Sequence, residues 1–89
     1  MQIESDKDFQ TLRIKFNDWR SRFPMFKHDV NQIENIIEQH IQNFSIVMVQ
    51  YRQTHSKVYL EKAQAEIDAI NRVLATVEKM ELMALLARG

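Results

Sequence analysis

The residues most able to do chemistry near neutral pH are three histidines, which in proteins serve as metal ligands and as general acids or bases. His28, His40 and His55 stand 12 and 15 residues apart along the chain. A metal pair on one helix needs ligands three or four residues apart, and a di-metal helical bundle needs Glu-x-x-His on two helices. Neither pattern is present, so we expect no metal site and interpret the histidines as solvated polar residues.

The chain also lacks the residues from which common catalytic motifs are built. Its 89 residues include one Gly, one Pro and no Cys. A phosphate-binding loop, a dinucleotide fingerprint and a nucleophile elbow each require more than one glycine. A disulfide framework or a cysteine-ligated zinc site requires cysteine. We therefore predict that the protein is not an enzyme and binds no cofactor.

The charge balance argues against nucleic acid as a partner. Twelve Lys and Arg residues balance twelve Asp and Glu residues, whereas affinity for phosphates comes from an excess of basic side chains. One basic cluster lies among aromatic residues, the combination that binds single strands by stacking. Residues 1–24 carry a net charge of only +1, from five basic and four acidic residues. This cluster consists of Arg13, Lys15, Arg20 and Arg22.

The sequence contains no predicted membrane span or signal peptide. No apolar run approaches the ~20 residues that a transmembrane helix needs. The first residues, Met1 to Glu4, do not combine a basic region with an apolar stretch, as a signal peptide would. We therefore expect the protein to be cytoplasmic or nuclear.

The elements that position these residues are predicted to be helices, because Gly and Pro together make up 2 of 89 residues, far below the usual share of roughly 12%. The first helix is predicted over about 5–23, with Ser5 as its N-cap. Pro24 ends it, since the residue before proline is driven out of the helical region. Its apolar residues recur three and four positions apart, and we call them the aromatic seam: Phe9, Leu12, Phe16, Trp19 and Phe23.

The second helix is predicted over about 29–52, with Asp29 as the better cap and a three-and-four spaced apolar stripe along one side. Around Phe44–Val49 the helix is apolar nearly all round, which is typical of a helix buried on every side. At least three helices are therefore expected to surround this stretch. The stripe comprises Val30, Ile33, Ile37, Phe44, Val47 and Tyr51.

The third helix is predicted over about 56–88, with Gly89 as a possible C-terminal cap. Its stripe continues into final turns that are apolar on more than one side. The polar composition of Gln50 to Lys57, and a two-residue slip between the two stripes, predict a turn near Arg52–Ser56. The alternative is one helix of about 60 residues, roughly 90 Å long. The stripe comprises Leu60, Ala63, Ile67, Ile70, Leu74 and Val77.

These elements predict one all-α domain over residues 1–89. We expect a helical hairpin or three-helix bundle with coiled-coil-type seams, completed by oligomerisation. The alternative fold is a short helix followed by a single long helix in a coiled-coil oligomer. The aromatic seam has two possible fates: to close the bundle of its own chain, or to dock on another chain. The third helix is longer than the first, so part of its apolar surface should overhang and bind a partner helix.

The predicted function is a non-enzymatic helical protein–protein interaction or assembly module, an adaptor or scaffold subunit. Its partners would be further copies of the chain, a helical protein, or both, and recognition would use apolar anchors at helical spacing. The alternative is a small regulatory protein that binds and occludes a partner enzyme or nucleic-acid binder. The candidate interface residues are the aromatic seam (Phe9, Leu12, Phe16, Trp19 and Phe23) and the end of the third helix (Leu82, Met83, Leu85 and Leu86).

Overall fold

The computed structural model describes residues 1–88 and is helical throughout its ordered elements. Three α-helices follow one another: α1 (Phe9–Arg22), α2 (Lys27–Thr54) and α3 (Lys57–Arg88). Two 3₁₀ turns, Asp6–Asp8 and Pro24–Phe26, precede α1 and α2. Residues 1–88 contain no β-strand, so the predicted all-α class is confirmed. The predicted cap at Gly89 lies outside the described residues.

The N-terminal end of the first helical segment is capped as predicted. The Ser5 hydroxyl accepts a hydrogen bond from the Lys7 backbone N–H (3.4 Å). The Asp8 carboxylate in turn accepts one from the Glu4 backbone N–H (2.9 Å). These side chains satisfy amides that have no partner within the helix. The first turn is 3₁₀ rather than α, so α1 proper begins at Phe9.

The corner between α1 and α2 differs from the prediction in one respect. Phe23 leaves the helical region (φ −129°, ψ 66°) directly before Pro24, as expected from the steric effect of proline. The following 3₁₀ turn runs straight into α2, which begins at Lys27. Asp29 therefore lies in the first turn of α2 and does not cap it, so the predicted cap is wrong.

A break separates α2 from α3, as predicted, and the alternative of one continuous helix is wrong. His55 adopts the left-handed conformation (φ 54°, ψ 22°), which no residue inside a right-handed helix can take. Its N–H donates to the Tyr51 carbonyl at 2.7 Å, so the chain closes the last turn of α2 before it reverses. The turn is made by a histidine, without glycine or proline.

The helices pack as an antiparallel α2–α3 hairpin with α1 along part of it. The Phe9 ring meets the Phe44 ring in an edge-to-face contact at 5.4 Å, whereas Arg20 bonds to Glu34 nearer the start of α2. Hence α1 runs antiparallel to α2. The Cα atoms extend over 53 × 18 × 16 Å. The buried core consists of Ile3, Phe9, Leu12, Phe16, Trp19, Phe23, Val30, Ile37, Ile41, Ile67, Ile70, Leu74 and Val77.

One packing expectation fails within the chain. The stretch Phe44–Val49 is not enclosed by three helices, because Ile46 and Val49 remain 59% and 48% exposed. The reason is length: α1 has 14 residues and α2 has 28. Since α1 begins at Phe9, opposite Phe44, it does not cover the residues of α2 that follow Phe44, where α2 is apolar nearly all round.

Candidate interaction surfaces

The aromatic seam lies inside the molecule. None of its five residues is more than 6% exposed. Phe9 packs edge-to-face on Phe44, and Phe16 packs edge-to-face on Trp19 with ring centroids 5.3 Å apart. The seam therefore closes the bundle of its own chain, which is the first of its two predicted fates. As candidates for an exposed interface, these residues are corrected to core: Phe9, Leu12, Phe16, Trp19 and Phe23.

Even the polar edge of the largest seam residue is satisfied within the chain. Trp19 Nε1 donates to Glu81 Oε2 at 3.0 Å. Arg22 Nη1 approaches the other oxygen of the same carboxylate at 3.5 Å. Because a buried indole N–H needs a partner, this contact fixes the end of α1 against α3 and leaves the seam no free donor for another molecule.

The three arginines of the basic cluster of α1 pair with carboxylates of α2 and α3, whereas Lys15 lies over the Trp19 ring. Arg13 donates to both oxygens of Glu38, at 2.7 and 3.1 Å, and Arg20 pairs with Glu34 at 2.9 Å. The hydrogen bond from Arg13 holds the pKa of the Glu38 carboxyl below its usual range, although burial opposes the shift. These arginines hold α1 on the hairpin rather than forming a free cationic face.

The histidines do not converge on one another. His28 lies beside Gln32 (3.1 Å) at the start of α2, and His55 is at the turn between α2 and α3. His40 is the exception to a purely solvated role, since its Nδ1 lies 2.6 Å from Glu66 Oε2 on α3. Sequence spacing gave no signal for this pair, which depends on the register of the hairpin.

Residues 1–88 contain neither a metal-binding cluster nor a membrane-spanning helix. No group of three or more His, Cys, Asp or Glu residues there is arranged to hold a metal ion. No helix in that range is both long enough and apolar enough to cross a bilayer. Every buried side-chain nitrogen or oxygen of this part of the chain has a hydrogen-bond partner within the chain.

The role of the N-terminal segment was not predicted from the sequence. Ile3 is 1% exposed and belongs to the core. Its backbone N–H donates to Asn71 Oδ1 (2.7 Å), and its carbonyl accepts from Asn71 Nδ2 (2.8 Å). The available signal was weak: a single apolar residue among polar neighbours, and an asparagine four residues after the buried Ile67.

The end of α3 forms the first exposed apolar surface. Ala84 of α3 still packs against the core, and the large side chains around and beyond it are between 45% and 70% exposed. We call residues 82–87 the overhang; it contains no charged side chain. All four residues predicted here from the sequence lie at the surface: Leu82, Met83, Leu85 and Leu86.

A second surface lies at the opposite end of the molecule, where α2 extends past the N-terminal end of α1. An open depression of about 440 Å³ runs between the N-terminal end of α1 and the second half of α2. Its charged lining residues are Asp6, Arg13 and Arg52. Its apolar lining consists of Phe9, Ile41, Phe44, Met48 and Val49. We call it the groove. It was not predicted, because it arises from where α1 docks along α2.

Comparison with known proteins adds no relative: no family model, no curated protein and no solved structure matches the chain. The fold and surfaces define a class only, an all-α protein with three packed helices and two exposed apolar surfaces. The overhang and the groove are the surfaces through which these residues could bind another molecule.

Proposed function

We propose that the protein is a non-enzymatic helical assembly module, an adaptor or scaffold subunit that binds through exposed apolar helix surfaces. The observation that carries this proposal is the overhang. Four of its six residues have large apolar side chains that are exposed. Contiguous apolar surface of this kind marks sites of protein association in soluble proteins.

The spacing of these side chains suits helix-in-groove recognition. Leu82, Leu85 and Leu86 occupy positions i, i+3 and i+4, which fall on one side of a helix. Such anchors insert into an apolar groove on a partner. Met83 lies on another side of the same turns and offers an adaptable contact.

The proposed role is non-catalytic, because the acidic side chains that lie between the helices form hydrogen bonds to other helices of the bundle. Glu34 and Glu38 bind arginines of α1, and Glu66 and Glu81 bind His40 and Trp19. Catalysis requires polar groups that converge on a reacting molecule. These groups converge on one another.

Sedimentation velocity over a micromolar-to-millimolar range tests the proposal. We expect the weight-average mass to rise with concentration and the rise to disappear in Leu86→Glu. Ile14→Glu is the matched control, since Ile14 is equally apolar and 61% exposed on α1 but belongs to neither surface. A wild-type chain that keeps the mass of a single molecule over the whole range contradicts self-assembly.

A further inference from the structure

The N-terminal segment that precedes the first 3₁₀ turn is held on α3 through its backbone. Residues 1–4 belong to no helix, strand or turn, yet Ile3 is only 1% exposed. Its N–H donates to Asn71 Oδ1 at 2.7 Å, and its carbonyl accepts from Asn71 Nδ2 at 2.8 Å. We call residues 1–3 the strap, and the surface of α3 around Asn71 that they cover the strap site.

The two hydrogen bonds from one side chain require an extended backbone at Ile3. In an extended chain the N–H and C=O of one residue point to the same side, where a residue of a neighbouring β-strand can bond to both. In a helix they point in opposite directions along the axis. Ser5, two residues further on, is also extended, with φ −154° and ψ 176°. The Asn71 carboxamide therefore makes the bonds that a β-strand residue would make.

A site of this kind recognises two properties of the segment that it binds. The backbone bonds do not depend on sequence, except that proline has no N–H to donate. The side chain enters the core: Ile67 and Leu74 lie one turn on either side of Asn71 on α3, and both belong to the same buried cluster as Ile3. The residues next to Ile3 in the chain are exposed, so the strap site selects one apolar side chain.

The strap can leave this site without disturbing α1. The Asp8 carboxylate accepts hydrogen bonds from the backbone N–H of Glu4 (2.9 Å) and Ser5 (3.4 Å), so the chain from Glu4 onward is held by the start of the first helical segment. The strap itself is held by one buried side chain, its two backbone bonds and an exposed ion pair between the Met1 ammonium and Glu78. Segments with so few buried contacts open locally.

We propose that the strap site binds an extended peptide segment of another protein, which displaces the strap. The strap shows the chemistry of the segment that fits: an aliphatic, branched side chain at one position, a free N–H and C=O at that same position, and exposed neighbours. Such recognition adds an extended chain through main-chain bonds and selects it through a side-chain pocket. Asn71 belongs to neither the overhang nor the groove, so this inference does not depend on the proposed function.

Peptide binding to a chain whose own strap is disabled tests the proposal. In Ile3→Asp the strap stays out of the core, because an unpaired buried charge is costly. The probe has the sequence of residues 1–5, acetyl-Met-Gln-Ile-Glu-Ser-amide, and its acetyl group removes the terminal charge. We expect the side-chain amide resonances of Asn71 in the isotope-labelled variant to shift saturably toward their wild-type positions at millimolar probe, the effective concentration of a short tethered segment. Asn71→Ala identifies these resonances by their loss.

Two control peptides separate the parts of the site. A probe with N-methylisoleucine lacks the amide donor and keeps the side chain, whereas a probe with glycine at that position lacks the side chain and keeps the donor. We expect neither to saturate the shift over the same range. The wild-type chain should need at least about tenfold more probe than Ile3→Asp, because its strap occupies the site and lowers the fraction that can bind.

Each contrary result overturns a defined part of the proposal. The absence of a saturable shift at about 10 mM probe, above the effective concentration of a tethered segment, overturns binding. Equal binding of the N-methylated probe overturns backbone recognition, and equal binding to the wild type overturns displacement of the strap. Far-UV circular dichroism checks that Ile3→Asp is folded. If it loses helicity, Ile3→Gly replaces it and the same results decide, whether or not the chain assembles.

Discussion

The Asn71 side chain makes the two hydrogen bonds to Ile3 that a neighbouring backbone would otherwise make. Its Oδ1 accepts from the Ile3 N–H at 2.7 Å, and its Nδ2 donates to the Ile3 carbonyl at 2.8 Å. One α3 side chain thus satisfies both backbone groups of a residue outside any helix, and the Ile3 side chain enters the core. The Met1 ammonium also reaches Glu78 Oε1, at 2.5 Å.

Replacing Asn71 with Ala should release this N-terminal segment. Both backbone groups of Ile3 lose their partner, and such a loss costs about 1–3 kcal/mol when the groups stay buried. Because the segment can detach, we expect faster hydrogen exchange at the Ile3 amide. The free energy of global unfolding should decrease by less than this amount. Asn35→Ala, on the exposed side of α2, controls for the higher helix propensity of Ala. Unchanged exchange at Ile3 would contradict the assigned role.

A buried and an exposed isoleucine, Ile3 and Ile14, show whether burial determines the contribution of an apolar side chain to stability. Ile3→Ala should lower the free energy of unfolding by about 2 kcal/mol, the low end of the range for a buried isoleucine, because the segment can detach instead of leaving a cavity. Ile14→Ala should change it by less than about 0.5 kcal/mol, since that side chain faces solvent. Urea denaturation measures both. Equal effects would show that Ile3 is not part of the core.

The helices were predictable because each carries its own periodic pattern. The spacing of the aromatic seam and of Ile67, Ile70 and Leu74 identified core positions without any knowledge of packing. The contribution of Ile3 was not predictable, because an isolated apolar residue has no period. The pairing of His40 with Glu66 depends on the register of two helices, which no local pattern records.

The same distinction applies to the surfaces. The exposure of Leu82 and its neighbours followed from relative length, since a helix of about 32 residues must extend past one of about 19. The groove did not follow, because the apolar character of Phe44–Val49 was interpreted as burial by further helices. Its exposure depends on α1 beginning opposite Phe44, and the position at which one helix docks on another is a tertiary property.

Truncation of the largest core side chain should unfold the protein rather than merely detach a partner. Trp19→Ala should cost about 3–5 kcal/mol, because it removes a buried indole that packs on Phe16 and binds Glu81. Trp19→Phe keeps an aromatic ring and loses the hydrogen bond, so about 1 kcal/mol is expected. The measurement is helicity against urea concentration. If Trp19→Ala keeps the full stability of the wild type, the aromatic seam is an interface and not part of the core.

The bond between Arg13 and Glu38 should make part of the stability pH-dependent. The folded state lowers the pKa of Glu38 below its ordinary value of 4.5. Its contribution is therefore fully present above that value and is lost as pH falls through the lower folded pKa. Since both side chains are partly exposed, Glu38→Gln should cost only about 0.2–1 kcal/mol at neutral pH.

This difference between wild type and Glu38→Gln should shrink in acid, where wild-type Glu38 is itself protonated. Urea denaturation at neutral and at acidic pH measures it, with Glu61→Gln on the exposed side of α3 as the control. A difference that stays constant into acid would mean that the charge of Glu38 contributes nothing.

The turn between α2 and α3 contains a residue with a strained backbone conformation, and a substitution can remove this strain. His55 has a positive φ of 54°, which costs a residue with a Cβ about 1–2 kcal/mol, whereas glycine tolerates it. Its ring also stacks edge-on against Tyr51, with centroids 5.9 Å apart, and this contact offsets part of the cost. His55→Gly should therefore raise the free energy of unfolding by about 0.5–1 kcal/mol. Gln53→Gly, within α2, should lower it by about 1 kcal/mol. If both variants are destabilised equally, the contact with Tyr51 outweighs the backbone strain.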